Sequence, residues 1–411
     1  MFNLPIHTVK GDCGIMIILT ILILFIVYLT VDFYFGKRQL HRSIIKRSYP
    51  KRMMDWELFG NGHDLYDRLF QDIQSATQHI HIQFFIIKKD RISEQFLQLL
   101  MKKAAEGVTV RLLLDRIGGF RVSKNKIKQL REAGILFEHA NKPRLPFLFF
   151  SIQHRNHRKV TIIDGEIGYF GGFNIGEEYL GNNPRLGFWR DFHLRITGES
   201  VRILQSEFLF DWQRETRTEV NSNELYPTAL QNGTTGSTFM PSDGVGIESF
   251  LLQFINSAEK EIVIASPYYI PGKKINESLI EAANRGIQIT LLVPLKADHP
   301  LVRAAAFPYF KLLLNCGVKI YRYDYGFYHG KCIIIDQRIC DFGTANFDKR
   351  SFFINNELNC LIEDRIFIND ILTEIHHDII HAKPLTIEEY KARPLQQRPI
   401  EVLSSLLSGL L

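Results

Sequence analysis

One block of this sequence occurs twice, and that repetition obliges the chain to fold as two related halves. The first copy reads Asn156-His157-Arg158-Lys159-Val160-Thr161-Ile162-Ile163-Asp164 and, after six further residues, Gly171-Gly172-Phe173-Asn174. The second begins 172 residues later with Tyr328-His329-Gly330-Lys331-Cys332-Ile333-Ile334-Ile335-Asp336, followed at the same interval by Gly343-Thr344-Ala345-Asn346. The residues between Lys and Asp are apolar and mostly β-branched in both copies, which predicts a buried strand. Side chains two apart on a strand share a face, so His157 and Lys159 point one way together, as do His329 and Lys331. Asp164 and Asp336 face the other way. Their position suits a brace at the strand end, though their fixed spacing in the motif keeps both as candidate catalytic residues.

A single His-x-Lys pair on a strand is ordinarily a surface feature. The same pair twice, in register with Asp and Gly-x-x-Asn, is a site. Two imidazoles and two ammonium groups meeting across a pseudo-twofold axis can handle a phosphodiester with no metal and no other cofactor. A neutral imidazole attacks phosphorus while the lysines neutralise charge on the non-bridging oxygens. The other imidazole, protonated, gives its proton to the leaving alkoxide. Nearby ammonium groups lower an imidazole pKa and favour the neutral, attacking form. Spacing alone does not separate the two roles; the working expectation is His157 as nucleophile and His329 as acid and base. Asn174 and Asn346 follow glycine turns and offer amide donors to the same oxygens. Asp191, in Trp189-Arg190-Asp191, and Glu357, in Asn355-Asn356-Glu357, are the carboxylates expected to hold the distal ring nitrogens and fix the tautomers.

The chain's other strong signal lies near its start. Gly14 to Val31 is uncharged, and extension to Gly36 adds only Asp32. As a helix of ~1.5 Å per residue, residues 14–36 reach roughly 34 Å, enough to cross a hydrocarbon core. A cleavable signal would want basic residues before the run and a small-x-small site after it; Lys10 alone precedes, and Thr30-Val31-Asp32-Phe33-Tyr34 follows. Lys37 to Arg52 then holds seven Lys or Arg and no acid. The net charge is +6, so everything outside this collar sums to −1. A nucleic-acid groove needs basic residues spread along it, so the near-neutral remainder argues against nucleic acid as partner. The collar suits anionic membrane lipid and, by the positive-inside rule, a cytoplasmic catalytic part below a short extracytoplasmic segment, residues 1–13. The five cysteines show no paired or zinc-type spacing and read as reduced thiols.

The repeat extends beyond the motifs. Strands are expected at Ile80–Ile86 and Ile262–Ile270, then helices closed by Gly107 and Gly286, then strands at Val108–Leu114 and Ile287–Val293. Strand, helix, strand in each half argues an α/β fold with mixed, largely parallel sheets flanked by helices. The offset between copies falls from 184 at Phe84/Tyr268 to 179 at Gly107/Gly286 and 172 at the histidines. The first half therefore carries about twelve extra residues before its motif, among them Arg144-Leu145-Pro146-Phe147-Leu148-Phe149-Phe150. That run is either a core strand or a hydrophobic lip touching acyl chains. Val402 to Leu411 is expected to serve core or dimer packing.

The paired motifs, with Asn174-Ile175-Gly176-Glu177-Glu178-Tyr179-Leu180, Phe188-Trp189-Arg190-Asp191 and Gly343-Thr344-Ala345-Asn346-Phe347-Asp348-Lys349-Arg350-Ser351, resemble the phospholipase D superfamily and, within it, bacterial cardiolipin synthases of the shorter, minor type. The resemblance runs from about residue 56 to the C-terminus. It implies two pseudo-symmetric phospholipase D-like domains, 56–217 and 243–411, joined by a linker at 218–242. Before them come a transmembrane helix, 14–36, and a basic linker, 37–55. It also implies a two-step reaction. One histidine takes a phosphatidyl group from phosphatidylglycerol and releases glycerol; the hydroxyl of a second phosphatidylglycerol resolves the intermediate to cardiolipin. The same motifs would serve a hydrolytic phospholipase D or a superfamily nuclease. Relatives are commonly drawn with two membrane segments near the N-terminus, and this chain shows one. Neither the motifs nor the resemblance sets the oligomeric state.

Overall fold

The computed structural model describes residues 9–221, 225–227, 230, 232–394 and 397–410. Residues 1–8 of the expected extracytoplasmic segment, and 222–224, 228, 229 and 231 of the expected linker, lie outside them. The β-branched motif runs fold as strands Val160–Ile163 and Cys332–Ile335, each turning back as a hairpin into Ile167–Gly171 and Ile339–Gly343. The turns are made by Asp164 and Asp336, both left-handed at φ 53 and 52. Each carboxylate then reaches sideways. Asp164 accepts from the backbone N–H groups of Thr77, Gln78 and His79 at 2.8 Å each. Asp336 accepts from Glu259, Lys260 and Glu261 at 2.9, 2.7 and 2.9 Å. These donors open the neighbouring strands, His79–Phe84 and Glu261–Ala265.

The structure thus gives Asp164 and Asp336 the work of strand-end braces rather than a place beside the histidines. Five residues along a strand put them about 16 Å from the lysines. The equivalence of His79 with Glu261 also corrects the strand alignment: the true offset there is 182, two less than pairing Phe84 with Tyr268 requires.

All of these strands join one 15-stranded sheet. From one edge it runs Leu136–Ala140, Thr109–Asp115, His79–Phe84, Val160–Ile163, Ile167–Gly171, His193–Thr197 and Arg52–Phe59. The second half repeats this order in mirror sequence from Thr235–Asp243 out to Lys319–Tyr323, with Ala382–Pro384 added at the far edge. Arg52–Phe59 pairs antiparallel with Thr235–Asp243, and that pairing fuses the halves. The sheet is mixed, as expected, but not largely parallel. Only the two outermost pairs of each mirrored half are parallel, because only those strands are joined by crossover helices; the hairpins and the central strands are antiparallel. Residues 235–242, expected in a linker, belong to the central strand Thr235–Asp243, and Arg52–Asp55 of the expected basic linker begin another.

Each half has its own apolar core, and a third core spans the join, where Phe170 meets Phe239 and Phe342 with ring centres 4.9 and 5.6 Å apart. The predicted helices close at Gly107 and Gly286, both near φ +90, where a left-handed residue lets the chain turn into the next strand. Cys332, Cys340 and Cys360 are buried free thiols.

The apolar N-terminal run is one helix, Val9–Ser43, continuing past residue 36 through the first part of the collar. Its stretch from Gly14 has a mean hydropathy of 2.9 and packs against nothing where it is most apolar. The run 147–150 is not a core strand. Leu148–Gln153 is a short helix whose Phe150 is buried. Asp32, the only acid in the apolar run, accepts from Phe150 N–H at 2.7 Å, serving a donor that the helix start leaves unpaired. Phe33 packs edge-on against the Phe150 ring at 5.6 Å. Gly36 makes the approach possible, since a Cβ there would stand 2.5 Å from that of Phe150.

A brace should matter to stability and not to chemistry. Asp164→Ala is expected to lower unfolding free energy by about 1.5–3 kcal/mol, the range for hydrogen bonds to a charged acceptor, with KM unchanged at a temperature where the variant is folded. Thermal denaturation beside steady-state kinetics checks it.

Candidate active site

Both motifs lie where the parallel strands end. His157 and Lys159 precede Val160, which pairs with Gln83 near the C-terminal end of its strand; Lys331 precedes Cys332, which pairs with Ala265 at the end of its own. The ends of parallel strands are where open α/β sheets present ligand sites. A cleft of about 520 Å³ opens there, and His157, His329, Asn174 and Asn346 all line it.

The two halves build this site by exchange. The backbone N–H of His157 donates to the carbonyl of Asn356 at 2.9 Å, and that of His329 to the carbonyl of Arg190 at 2.6 Å. The residue after each of those carbonyls is the carboxylate that receives the histidine. His157 Nδ1 lies 2.9 Å from Glu357 Oε2, and His329 Nδ1 is hydrogen-bonded to Asp191 Oδ2. Each histidine is thus oriented by the opposite half. Both carboxyls sit below their usual range because their histidine and lysine partners outweigh burial: His157 and Lys159 for Glu357, and Lys331 and His329 for Asp191. An ionised carboxylate accepts, so Nδ1 carries the proton and Nε2 is the free nitrogen of each ring.

Each lysine turns back on its own histidine. Lys159 Nζ donates to the His157 carbonyl at 2.7 Å, and Lys331 Nζ to that of His329. Lys331 Nζ also lies 2.8 Å from His329 Nδ1 and 3.5 Å from Asp191 Oδ2. Because Nδ1 is already a donor, the ammonium pairs with the carboxylate instead. Burial, then the lysine charge, pushes His329 down to about 3; burial also lowers His157, against the pull of Glu357. Burial pushes Lys159 down to about 7 and lowers Lys331. The ammonium groups do lower the imidazoles as expected, but desolvation is the larger cause.

The copies differ where their carboxylates differ. Glu357 is held by two hydroxyls, Thr344 Oγ1 at 2.6 Å and Ser351 Oγ at 2.8 Å. The first-half counterpart of Thr344 is Gly172, where a Cβ would stand 2.0 Å from Asp191 Oδ1. The glycine makes room for the carboxylate.

Arg158, between His157 and Lys159, escaped the sequence reading. It is fully buried and bonds Asp211 at 2.7 Å, Asp243 at 2.9 Å and, through Nε, the Glu357 carbonyl at 3.1 Å. Arg47 of the basic collar enters the same nest, bonding Glu207 at 2.7 Å and Asp243 at 2.9 Å. With Lys51 on Glu363 and Arg52 facing Glu199, the collar is partly spoken for; Arg38, Arg42 and Lys46 have no acidic partner among the described residues. The only sequence signal for Arg158 was a charged residue facing inward from a buried strand.

Asn174 Oδ1 accepts from Ile86 N–H at 3.0 Å, while Asn346 Oδ1 is buried with no partner. Trp189 and Phe85 flank the imidazoles, with ring centres 4.9 Å from His329 and 5.1 Å from His157. Arg155 and Arg350 also line the cleft.

Comparison with known proteins fits this arrangement. The family model described as "Cardiolipin synthase, PLD-like domain" matches residues 69–192 and 251–379, one match per half. The minor cardiolipin synthase ClsB of Bacillus subtilis (strain 168) is 42% identical over 392 residues, covering 95% of this chain and 98% of that protein. A cardiolipin synthase of Geobacillus sp. (strain WCH70) is 39% identical, covering 85% and 71%. Among solved structures, a phosphatidylserine synthase of Haemophilus influenzae Rd KW20 superposes with a TM-score of 0.67 at 14% identity, over 92% of this chain and all of that one, a likeness of fold. The chain belongs to the cardiolipin synthase family of PLD-like proteins.

Two outcomes follow from the geometry. Glu357→Gln removes the charge that holds the His157 tautomer and is expected to lower kcat about 10²–10⁴-fold with KM little changed. Lys159, lowered to about 7, loses its charge in the empty cleft as pH rises through that value. Affinity for an anionic phosphodiester must then fall, so KM should rise between about pH 6 and about pH 8.5; a flat KM contradicts the assignment.

Proposed function

We propose that this protein is a cardiolipin synthase that transfers a phosphatidyl group from one phosphatidylglycerol to another. The observation that carries the reading is the crossed pair of histidines: two imidazoles with fixed tautomers, each presenting a free Nε2, on one cleft.

His157 Nε2 attacks phosphorus of the first phosphatidylglycerol. The P–O bond to the headgroup glycerol breaks, and that oxygen takes the proton carried by His329 Nε2, so glycerol leaves and a phosphatidyl-histidine remains. The headgroup hydroxyl of a second phosphatidylglycerol then gives its proton to His329 and attacks phosphorus. The P–N bond breaks, cardiolipin forms, and His329 is again protonated. An empty cleft lowers the His329 pKa; the anionic phosphodiester raises it and so loads the acid when substrate is present. Lys159 and Lys331 offset charge on the non-bridging oxygens, with Asn174 and Asn346 as amide donors. Asp191 and Glu357 are positioning residues, and no step calls for a metal.

The N-terminal helix spans the bilayer in this reading. Arg38, Arg42 and Lys46 carry the positive-inside signal that sets the catalytic body on the cytoplasmic side, next to anionic lipid.

The test is to incubate detergent-solubilised enzyme with labelled phosphatidylglycerol and resolve the products. Cardiolipin with glycerol is expected; phosphatidic acid alone would make the enzyme a hydrolase. Turnover should disappear in His157→Ala and in His329→Ala, and with a labelled phosphatidyl ester of p-nitrophenol, whose leaving group needs no proton, only the latter should retain label on the protein. Label on His157→Ala instead would exchange the two roles.

A further inference from the structure

The C-terminal helix Gln397–Leu406 is inside out. Against the protein it and the next turn place polar residues: Glu401, Ser404 and Ser408 are buried, Ser404 completely. Glu401 pairs with Arg393 at 3.0 Å, and Ser408 accepts from Lys349 Nζ at 2.7 Å. The outward face carries Val402, Leu403 and Leu406, which are 62%, 52% and 79% exposed. A helix on a water-facing surface has the reverse distribution. Of the expected core or dimer packing, core packing does not describe this outward face.

Its neighbours say what covers the face. Arg350 Nη1 donates to the Leu410 carbonyl at 2.8 Å and to Gln153 Oε1 at 2.9 Å, and its Nη2 to the Gln153 carbonyl at 2.9 Å. One guanidinium thus joins the C-terminal segment to the end of the short helix Leu148–Gln153. That helix exposes Leu148 and Ile152, with Leu145 just before it, while Phe150 is fastened to Asp32 and Phe33 of the N-terminal helix. Lys37 of the N-terminal helix stands over the Phe353 ring, 4.6 Å from its centre, on the helix Lys349–Phe353 that also carries Arg350. The outward face of the short helix therefore adjoins the place where the chain leaves its apolar helix, and Arg350 ties the end of the C-terminal segment to that short helix. Arg350 and Leu410, between them, line the catalytic cleft.

We infer that these two faces lie in the boundary between headgroups and acyl chains, forming a rim that seats the cleft mouth on the bilayer. The inference rests on the reading of Val9–Ser43 as membrane-spanning. A second copy of the chain would cover one apolar face, but gives no reason for two such faces to flank the membrane helix and the cleft together. With the rim embedded, a lipid raises only its headgroup to the histidines while its acyl chains stay in the membrane.

The test uses the full chain in phosphatidylglycerol vesicles. An environment-sensitive fluorophore is placed on Leu403→Cys, with Cys13→Ser and Cys316→Ser, and a second preparation carries it on Leu22→Cys. Lipids with a quencher high on the acyl chain should quench the Leu403 probe strongly, aqueous iodide weakly, and dilution into excess lipid should change neither. Strong iodide quenching overturns the rim, as does shielding lost on dilution, which would signal a second copy. Deep quenching at Leu22 without acyl quenching at Leu403 refutes the rim and keeps the spanning helix; quenching at neither refutes both. Leu403→Asp combined with Leu406→Asp should raise KM about tenfold on vesicles and leave activity on soluble short-chain lipid intact. Equal loss on both substrates counts against the rim.

Discussion

The structure turns on an exchange: each histidine takes its carboxylate from the other half. Burial of an imidazole is costly unless its ring nitrogens are satisfied, and burial of a carboxylate costs more. Here each cost is met by a partner the half does not itself possess. The backbone bonds His157–Asn356 and His329–Arg190 set the register of that exchange, so the carboxylates arrive opposite Nδ1 without any adjustment of the loops. The fused central strands hold the two halves at the separation this requires. Fold, tautomer and cleft therefore depend on one another, and none can shift far alone.

Beneath the site the charges are arranged for rigidity. Arg158 is a buried cation among Glu207, Asp211 and Asp243, and its guanidinium also fixes the Glu357 carbonyl. A buried cluster of this kind holds its shape only while every member is paired. Arg47 completes it from the linker below the N-terminal helix. A basic stretch that looks like a membrane collar is thus partly a structural strut, and the orientation of the first histidine is mechanically tied to the approach from the membrane.

Much of this was legible in the residues. Strand periodicity separated the His-Lys face from the Asp face, and the braces at Asp164 and Asp336 follow from that alternation. The orienting carboxylates were readable as residue types near the motifs, but their exchange was not: periodicity describes one strand, and the crossing is a property of how two halves meet. The sheet's strand directions misled for a related reason. Strand–helix–strand units are conspicuous in sequence, whereas the short hairpin and central strands that make most of the sheet antiparallel carry weaker patterns. The aromatic run at 147–150 was ambiguous because its partner, the N-terminal helix, lies more than a hundred residues away. Its Asp32 carboxylate lets the run begin a helix.

The exchange also bears on origins. A chain containing one half alone would hold a histidine with no carboxylate and a carboxylate with no histidine. Such a chain would be complete only as a twofold pair, with its equivalent of Arg52–Phe59 laid against a copy of itself. Two such copies joined end to end would need no partner and would be free to differ from each other. Gly172 opposite Thr344, Asp191 opposite Glu357 and Arg158 opposite Gly330 are the differences such freedom permits, and they leave the two histidines in unlike surroundings.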